Sequence, residues 1–279
     1  MILRFLQLSI FLFLCSVWTC TSSLSNADVY WYNDGTGLNV DGATVPKFTN
    51  FASQDIFSIT EKLFMVGAGT QMQLFKYENG EILHVKSLGT GYYYYDVCDK
   101  YFMMGGVSGG FTVFEVNLSG DDLTTVSGIS AAIIKNMVTA TGETWLTNDR
   151  GGGSFAGNDC SKIILGKTSP FGIRVFDFDT SAKTVTYAGP VDCDETNCPA
   201  ASWQTVNSLA SSGNDIMTSS LVDHNGATMA GGVVVYQPNP STGLYEVLQV
   251  IYNPDPSGYD WFGGAVEGHE NGFWVSSRF

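Results

Sequence analysis

Apolar and aromatic residues alternate with polar residues in short segments, and each segment is followed by a turn rich in Gly, Asn, Asp or Ser. This unit occurs five times, at residues 29–37, 74–80, 113–120, 175–181 and 234–243. Alternation with a period of two, bounded by turn residues, predicts short strands joined in hairpins. No long segment carries an apolar period of 3.6 residues, so we expect little helix.

The spacing of these units predicts repeats of four antiparallel strands, which we name a to d in chain order. Phe75 and Phe114 are 39 positions apart, a common length for one four-stranded blade of a propeller. Phe114 and Phe176 are 62 positions apart, so the third repeat must carry extra residues. We expect its strand a at residues 133–139 and its strand b at residues 144–147.

Each end of the chain carries half of a repeat. Residues 263–267 and 273–277 have the pattern of strands a and b, with no strands c and d after them. Residues 29–32 and 38–43 have the pattern of strands c and d, and pairing the two ends would complete one blade. The sequence therefore predicts an all-β fold. It would be a five-bladed β-propeller of four-stranded antiparallel blades, whose last blade is closed by the N-terminal strands.

The extra length of the later repeats falls in connections of two kinds. In an antiparallel a–b–c–d blade, the b–c loops and the d–a connections lie at the same end, which we call the long-loop face. We expect the long connections at residues 149–171, 190–203, 221–231 and 252–260. The a–b and c–d turns are short. Long loops on a rigid scaffold commonly carry binding sites, so the long-loop face is the candidate working surface.

Composition limits the classes of partner. The chain of 279 residues has 44% hydrophobic residues, 32 glycines and a formal net charge of −14, with a pI near 4.4. An acidic surface repels phosphate backbones, so we expect no nucleic acid partner. Glycans, which offer hydroxyl hydrogen bonds, are easier to accommodate. The alternative is that the acidity only keeps a secreted protein in solution.

Residues 1–27 have the pattern of a secretory signal peptide. Arg4 supplies the positive end, residues 5–14 supply the apolar stretch, and small residues follow, with cleavage expected at about residues 22–27. The apolar stretch is short for a membrane span, which needs roughly 20 residues, although an uncleaved N-terminal anchor is an alternative. We expect a secreted protein with a single domain at residues 28–279 and no transmembrane segment in the mature chain.

Four cysteines remain after the leader, an even number that suggests two disulfides on an oxidising route. Cys193 and Cys198 are close in sequence and could close a small loop. Cys98 and Cys160 would then pair and join neighbouring blades. The spacing of Cys193 and Cys198 is not a usual zinc arrangement, so we do not expect zinc.

The last repeat carries a family-like pattern at residues 261–266 (WFGGAV), 269–272 (HENG) and 273–275 (FWV). It resembles the FG-GAP repeat of the integrin α-chain propeller, and residues 65–69 (MVGAG) look like the end of that repeat. Integrin propellers have seven blades, whereas five are counted here. The a–b turns also lack the Asp-x-Asp-x-Asp-Gly calcium loop of the family, so no calcium ligand is carried over. The alternative is another class of secreted five-bladed propeller, such as a lectin or a glycoside hydrolase.

Acidic and aromatic residues gather in the predicted long loops. Carboxylates accept hydroxyl hydrogen bonds and aromatic rings stack on sugar faces, which is the chemistry of a glycan site. The alternative is a solvated loop surface whose aromatic residues plug the propeller. The candidate ligand-binding residues are Asp149, Arg150, Trp203, Asp223, Tyr259, Asp260 and Trp261.

Carboxylates in the sequence suggest two further chemistries, calcium binding and glycoside hydrolysis. Asp192, Asp194 and Glu195 could hold Ca²⁺ through oxygen ligands, although they lack the glycine and longer spacing of a dedicated loop, so no cofactor is expected. A glycosidase needs two carboxylates facing the scissile bond. The weak candidates, on or near predicted strand a, are Asp55, Asp96, Asp260 and Glu267.

These patterns together favour a secreted recognition module that binds a glycan or an extracellular protein through its long loops. Asn117 opens an N-glycosylation sequon in a predicted c–d turn, which fits the secretory route. The alternatives are a carbohydrate-active hydrolase on the same scaffold, and a structural protein of the cell surface or matrix.

Overall fold

The structure is a computed structural model. It describes residues 31–33, 38–40, 54–60, 62–68, 71–90, 92–106, 110–117, 119–120, 122–144, 152–168, 170–193, 206–269 and 272–277. The chain divides into two compact units, unit 1 at residues 1–88 and unit 2 at residues 89–279.

Unit 1 contains a two-stranded and a four-stranded antiparallel sheet. The small sheet pairs β1 (Trp31–Asn33) with β2 (Leu38–Val40). The larger sheet, sheet 1, has the order β3 (Gln54–Ser58), β4 (Leu63–Ala68), β5 (Gln71–Glu78) and β6 (Glu81–Thr90), and β6 runs to the boundary with unit 2. Leu63, Met65 and Leu74 are fully buried. Val66 and Phe75, which point to the opposite face, are buried as well, so β4 and β5 are covered on both faces.

In its described residues, unit 2 contains three four-stranded antiparallel sheets, one helix and a terminal hairpin. Sheet 2 comprises β7 (Tyr92–Cys98), β8 (Tyr101–Gly106), β9 (Phe111–Val116) and β10 (Leu123–Ile129), and helix α1 (Ala131–Ala140) follows it. Sheet 3 comprises β11 (Gly153–Ala156), β12 (Lys162–Thr168), β13 (Phe171–Asp179) and β14 (Thr184–Asp192). Sheet 4 comprises β15 (Ser208–Ser212), β16 (Asp215–Ser220), β17 (Gly232–Pro238) and β18 (Tyr245–Tyr252). The hairpin pairs β19 (Val266–His269) with β20 (Gly272–Val275).

The first strands of successive sheets in unit 2 lie side by side. β7 contacts β11, β11 contacts β15, and β15 contacts β19. Each sheet then extends away from this row in chain order. Hydrogen bonds join the first strands: Ser154 Oγ donates to Asp96 Oδ2 over 2.6 Å and lies 3.1 Å from Ser211 Oγ. The a-to-d order expected for propeller blades is therefore present in all three sheets.

Apolar side chains fill the spaces between neighbouring sheets of unit 2. One cluster lies between sheets 2 and 3 and includes Phe111 and Phe176. A second lies between sheets 3 and 4 and includes Ile173 and Val234, and a third joins Val233 of sheet 4 to the terminal hairpin. Full burial of one such side chain is worth roughly 1.5–3 kcal/mol, so these clusters hold the sheets together.

The positions predicted for strands a and b of the third repeat are wrong. Residues 131–140, expected in part as strand a, form helix α1, and the first two strands of sheet 3 are β11 and β12. Ser130 caps the helix, because its Oγ accepts from the backbone nitrogen of Ile133 over 3.4 Å. Ile134 and Val138, one helical turn apart, are fully buried against sheets 2 and 3. This packing outweighs the preference of β-branched residues for strands.

The predicted loop at residues 149–171 is also wrong, because it contains β11 and β12. Between successive described strands of unit 2, the longest intervals are residues 130–152, 193–207, 221–231 and 253–265. All four are b–c loops or d–a connections, so the extra length does fall on the expected face. Asp159, placed on that face by the prediction, lies instead in the turn between β11 and β12.

A disulfide joins Cys98 at the end of β7 to Cys160 in the turn after β11, with 5.7 Å between the Cα atoms. It links sheets 2 and 3, as the sequence predicted for this pair. Cys193 is also disulfide-bonded. Cys198, its predicted partner, lies outside the described residues, and so do Cys15 and Cys20 of the leader.

The strands near each end of the chain form a hairpin. β1 pairs with β2 in unit 1, and β19 pairs with β20 in unit 2. Neither of these sheets has four strands among the described residues, so the fifth blade stays a prediction. The signal peptide, residues 1–27, lies outside the described residues. Within the part of the chain that the structure describes, no helix is long and apolar enough to cross a membrane.

Candidate functional site

Two long connections of unit 2, the b–c loop 221–231 and the d–a connection 253–265, pack against each other. The backbone nitrogens of Tyr259, Trp261 and Phe262 donate to the carbonyl oxygens of the other loop. The acceptors and distances are Thr228 at 2.8 Å, Met229 at 3.2 Å and Ala230 at 3.1 Å. We call this loop pair the platform. Main-chain bonds between loops satisfy polar groups that would otherwise need water, so the two segments form one surface.

Side chains fix each loop of the platform internally. Asp223 Oδ1 accepts from the backbone nitrogen of Met229 over 2.7 Å. Asp260 Oδ2 accepts from the backbone nitrogen of Ser257 over 2.6 Å and from Asn253 Nδ2 over 3.0 Å. Asn253 is buried, and it also donates weakly to the carbonyl oxygen of Ala230 over 3.4 Å. The carboxylates of Asp223 and Asp260 therefore fix the backbone conformation of the two platform loops.

An aromatic stack supports the first loop of the platform. The imidazole of His224 lies flat on the ring of Tyr252, with 4.2 Å between the ring centroids and 9° between the planes. Tyr252 belongs to β18, so the loop is held against the sheet that leads into the second loop.

The platform concentrates backbone conformations that side chains rarely adopt. Asn225, Met229, Tyr259 and Trp261 have φ angles of 50°, 51°, 67° and 52°. A left-handed conformation is uncommon for residues other than glycine, and it persists where surrounding contacts impose it. Such residues cluster at ligand-binding sites, so the strain supports a functional hypothesis here.

Tyr259 is the most prominent side chain of the platform, with 62% of its surface exposed. The exposed carboxylates of Asp223 and Asp255 belong to the same loop pair. An exposed ring offers a stacking surface, and carboxylates accept hydroxyl hydrogen bonds. This combination can hold a sugar, and it can also anchor an apolar group of a protein.

The structure brings four of the predicted ligand-binding residues together and leaves three undetermined. Asp223, Tyr259, Asp260 and Trp261 all lie in the platform. Asp260 acts within the loop through the bonds described above. Asp149, Arg150 and Trp203 lie outside the described residues.

The four carboxylates considered for hydrolysis have different surroundings. Asp96 Oδ2 accepts from Ser154 and from the backbone nitrogen of Phe155 over 2.7 Å, and burial raises the pKa of its carboxyl. Glu267 is exposed on β19, and Asp260 is bonded within the platform. Asp55 lies on β3 of unit 1, and its side chain is outside the described residues. The half-buried Asp96 thus joins two sheets, a structural role for this carboxylate.

Of the three carboxylates considered for calcium binding, Asp192 lies within the described residues. Asp192 Oδ1 lies 2.5 Å from Nζ of Lys167, so this carboxylate has a cationic partner. Asp194 and Glu195 lie outside the described residues. In the described parts of the chain, no group of three His, Cys, Asp or Glu side chains is placed to hold a metal ion.

A buried ionic cluster, which the sequence pattern did not predict, lies next to helix α1. Arg174 and Lys167 are almost fully buried, and both contact Glu143 Oε1, at 2.8 Å from Arg174 Nε and 3.5 Å from Lys167 Nζ. The hydroxyl of Tyr187 donates to Glu143 Oε2. The available signal was a cationic residue inside each of two mostly apolar strands, Lys167 in β12 and Arg174 in β13. Buried charges are normally paired, so the cluster anchors the β10–β11 connection to sheet 3.

The sequon at Asn117 lies in the turn between β9 and β10. Ser119 Oγ donates to Asn117 Oδ1 over 3.1 Å, and the Ser119 side chain is exposed. The turn is one of the short connections at the end of the sheet opposite the long-loop face.

No protein-family model and no curated protein matches the chain. The resemblance to the FG-GAP repeat is therefore not supported by a match to a family model.

Several solved structures are similar to the chain in fold. A functionally unknown protein from Desulfotomaculum acetoxidans matches with a TM-score of 0.55 and 10% identity, covering 88% of this chain and 68% of that one. The Cps50 (Swd1) β-propeller domain of Myceliophteria thermophila matches with a TM-score of 0.52 and 10% identity, over 87% of this chain and 74% of that one. A protein from Lactobacillus plantarum matches with a TM-score of 0.51 and 14% identity, over 83% of this chain. The match spans 64% of that protein, less than two thirds of its length.

These likenesses, together with the row of first strands in unit 2, show a β-propeller-like fold. At sequence identities of 10% to 14%, these matches show a similar fold and do not indicate a shared function. Function has to be argued from the site.

Proposed function

We propose that the chain is a secreted recognition module on a β-propeller-like scaffold, and that it binds an extracellular glycan through the platform. The observation that carries this proposal is the position of Tyr259. Its ring is largely exposed, on a loop pair that three main-chain hydrogen bonds hold in place.

Fixed loops favour binding because little conformational freedom remains to be lost. Ordering a mobile side chain on association costs about 0.5–1.5 kcal/mol, and a preformed platform reduces such costs. The left-handed backbone at Tyr259 and Trp261 is imposed before any ligand arrives.

A glycan is favoured over a protein partner by the mixture of groups on the platform. The ring of Tyr259 supplies one stacking surface, and the carboxylates of Asp223 and Asp255 supply hydroxyl acceptors. The net charge of −14 disfavours anionic glycans, so the proposed ligand is a neutral glycan. An extracellular protein as ligand is an alternative outcome of the same test.

The test is a glycan array probed with the purified chain and three variants. Tyr259→Ala should lower affinity for any bound neutral glycan by roughly five- to thirtyfold, because stacking on one ring contributes on the order of 1–2 kcal/mol. Tyr259→Phe keeps the ring and should retain binding. Trp274→Ala is the matched control, since Trp274 is 65% exposed but lies on β20, outside the platform. Equal binding by Tyr259→Ala and the parent chain would count against the platform, and absence of glycan binding would count against the ligand class.

We also propose that β1 and β2 complete a fifth blade with β19 and β20. The motivation is that each pair alone is a two-stranded sheet, and an isolated hairpin is marginally stable in water. Deleting residues 28–43 should then lower the free energy of unfolding of the whole domain. An unchanged unfolding transition of residues 89–279 in the deletion variant would exclude closure.

Secretion and glycosylation form a separate part of the proposal. The disulfide between Cys98 and Cys160 suits an oxidising compartment. Expression through a eukaryotic secretory pathway should release the chain without residues 1–27. A mobility shift that peptide-N-glycosidase reverses and that Asn117→Gln removes would identify the glycan. Retention of the leader at the N-terminus of the released chain would contradict cleavage.

A further inference from the structure

Helix α1 fills the gap between the outer parts of sheets 2 and 3. Ile134 and Val138 are fully buried in the cluster that these sheets share, and Met137 packs beside them. The helix also contacts β14, the outermost strand of sheet 3. The gap between two sheets of this fold can therefore accept an amphipathic helix of ten residues.

The next gap, between sheets 3 and 4, has an open groove in place of a helix. Its volume is about 480 Å³. Its lining includes Lys162, Pro190, Val191, Leu244, Glu246 and Val247. We call it the β14–β18 groove. Leu244 at its edge is 61% exposed.

The outer strands themselves keep the groove open. The pairing of β13 with β14 shifts register at Ala188, and the pairing of β17 with β18 shifts register at Leu248. Such bulges bend the strands locally. Pro190 has no backbone N–H to give to an added strand, so the edge of β14 is unsuited to β-sheet extension there. A helix, which satisfies its own backbone, is the better occupant.

The charges around the groove favour a cationic occupant. Lys162 pairs with Asp177, and Asp192 pairs with Lys167, so these four charges balance. Glu246 has Asn239 as its partner and no cation among the described residues.

Asp215 adds to the negative charge at the same end of the groove. Burial raises the pKa of Tyr245 to about 12, and the nearby carboxylate of Asp215 adds to this shift. Among the described residues Asp215 has no cationic partner either. The end of the groove near Tyr245 is therefore negative, on a chain whose net charge is already −14.

We propose that the β14–β18 groove docks a short basic amphipathic helix of a partner protein, in the way that α1 occupies the preceding gap. Apolar side chains of the partner helix, spaced by three and four residues, enter between Val191 and Val247. A basic side chain of the partner faces Glu246. This surface lies on the outer strands and is separate from the platform. Helix docking in the groove is therefore independent of glycan binding at the platform.

The probe is a synthetic peptide with the sequence of residues 130–142, which contains α1 and its cap. Its one charged side chain, Lys135, is basic. Short helices are marginal in water, so a hydrocarbon staple joins positions 132 and 136, which are both exposed on α1. A peptide of the same composition in scrambled order, and a Lys135→Glu peptide, are the controls. Fluorescence anisotropy of the labelled peptides measures binding to the full chain.

Two leucines of β18 and its preceding turn provide a matched pair of variants. Leu244 lines the groove and is 61% exposed, whereas Leu248 is 56% exposed and does not line it. Leu244→Asp should weaken binding of the stapled peptide at least tenfold, and Leu248→Asp should leave it unchanged. Glu246→Lys should weaken the parent peptide and strengthen the Lys135→Glu peptide.

Three results would overturn the proposal. The first is anisotropy no higher for the stapled peptide than for the scrambled one. The second is equal loss of binding in Leu244→Asp and Leu248→Asp, which would show that the loss is not local to the groove. The third is full binding by Leu244→Asp, which would place the peptide elsewhere, for example in the gap that α1 already fills.

Discussion

Arg174 Nε donates to Glu143 Oε1 over 2.8 Å, and this ion pair joins β13 to the connection that follows helix α1. Glu143 also lies 3.5 Å from the buried Nζ of Lys167. The Glu143 carboxylate therefore serves two cations that are almost fully enclosed.

Removing this carboxylate should be strongly destabilising. We expect Glu143→Gln to lower the free energy of unfolding by about 3–5 kcal/mol, because it leaves buried cations without full compensation. Urea unfolding followed by fluorescence measures the change. Glu115→Gln is the matched control, since Glu115 also pairs with two lysines, Lys100 at 2.7 Å and Lys183 at 2.5 Å, but both lysines are exposed. That substitution should cost roughly 1 kcal/mol or less. Equal costs for the two would show that burial does not set the strength of the pair.

Two adjacent isoleucines test helix α1. Ile134 is fully buried against sheets 2 and 3, whereas Ile133 is 46% exposed. We expect Ile134→Ala to lower the free energy of unfolding by about 2–5 kcal/mol, through lost burial and a cavity. Ile133→Ala should change it by less than about 1 kcal/mol. Thermal or urea unfolding of both variants measures the difference. A larger loss for Ile133→Ala would mean that the helix is rotated from its described position.

Asp96 should give stability a pH dependence of unusual sign. Burial raises the pKa of its carboxyl, an effect that hydrogen bonds from Ser154, Phe155 and Val97 partly oppose. The folded chain therefore holds this proton more tightly than the unfolded chain. The contribution of Asp96 to stability is then fully present below the unfolded pKa of about 4, and is lost as the pH rises through the raised pKa.

The measurement is urea unfolding of the parent chain and Asp96→Asn between about pH 2 and 8. The stability of the parent chain relative to Asp96→Asn should fall as the pH rises. Asp159→Asn is the opposite case, because a hydrogen bond from Ser161 lowers the pKa of Asp159. Relative to that variant, the parent chain should lose stability as the pH falls toward 4 and below. A difference that does not vary with pH for Asp96→Asn would contradict the burial of a carboxylate at this position.

The platform should loosen when the Asp260 carboxylate is removed. Asp260 Oδ2 accepts from the backbone nitrogen of Ser257 and from Asn253 Nδ2. We expect Asp260→Ala to speed amide hydrogen exchange in residues 253–265 and in the loop that they contact, as measured by mass spectrometry. Asp255→Ala is the control, since the Asp255 side chain is exposed and only its backbone nitrogen bonds within the loop. Faster exchange in both variants would mean that charge, and not the loop bond, holds the platform.

Much of the strand pattern could be predicted from the sequence because short apolar and aromatic segments are each followed by turn residues. The segment at 175–178 reads Val-Phe-Asp-Phe, and it lies within β13. Helix α1 was missed because Ile133, Ile134 and Val138 have high strand propensity. The contrary signals were the cap at Ser130 and the spacing of four residues between Ile134 and Val138. Tertiary contacts with sheets 2 and 3 decide between these signals, and a local pattern does not contain them.

The candidate site was predictable in position but not in detail. The excess length between Phe176 and Tyr236, and the acidic and aromatic residues after β18, pointed to the loops that form the platform. The hydrogen bonds that join loop 221–231 to 253–265 depend on two segments that are distant in sequence. The buried partners Lys167 and Arg174 were missed for the same reason, since their anion, Glu143, lies on another connection.

The disulfide between Cys98 and Cys160 has a practical consequence for anyone who maps this protein by digestion. The two cysteines are 62 positions apart, so a covalent ring encloses β8 to β11 together with helix α1. A protease that cuts once inside this ring leaves both fragments attached. The nicked molecule will then have the mass of the intact chain plus one water, and it will separate into two bands only after a reducing agent is added.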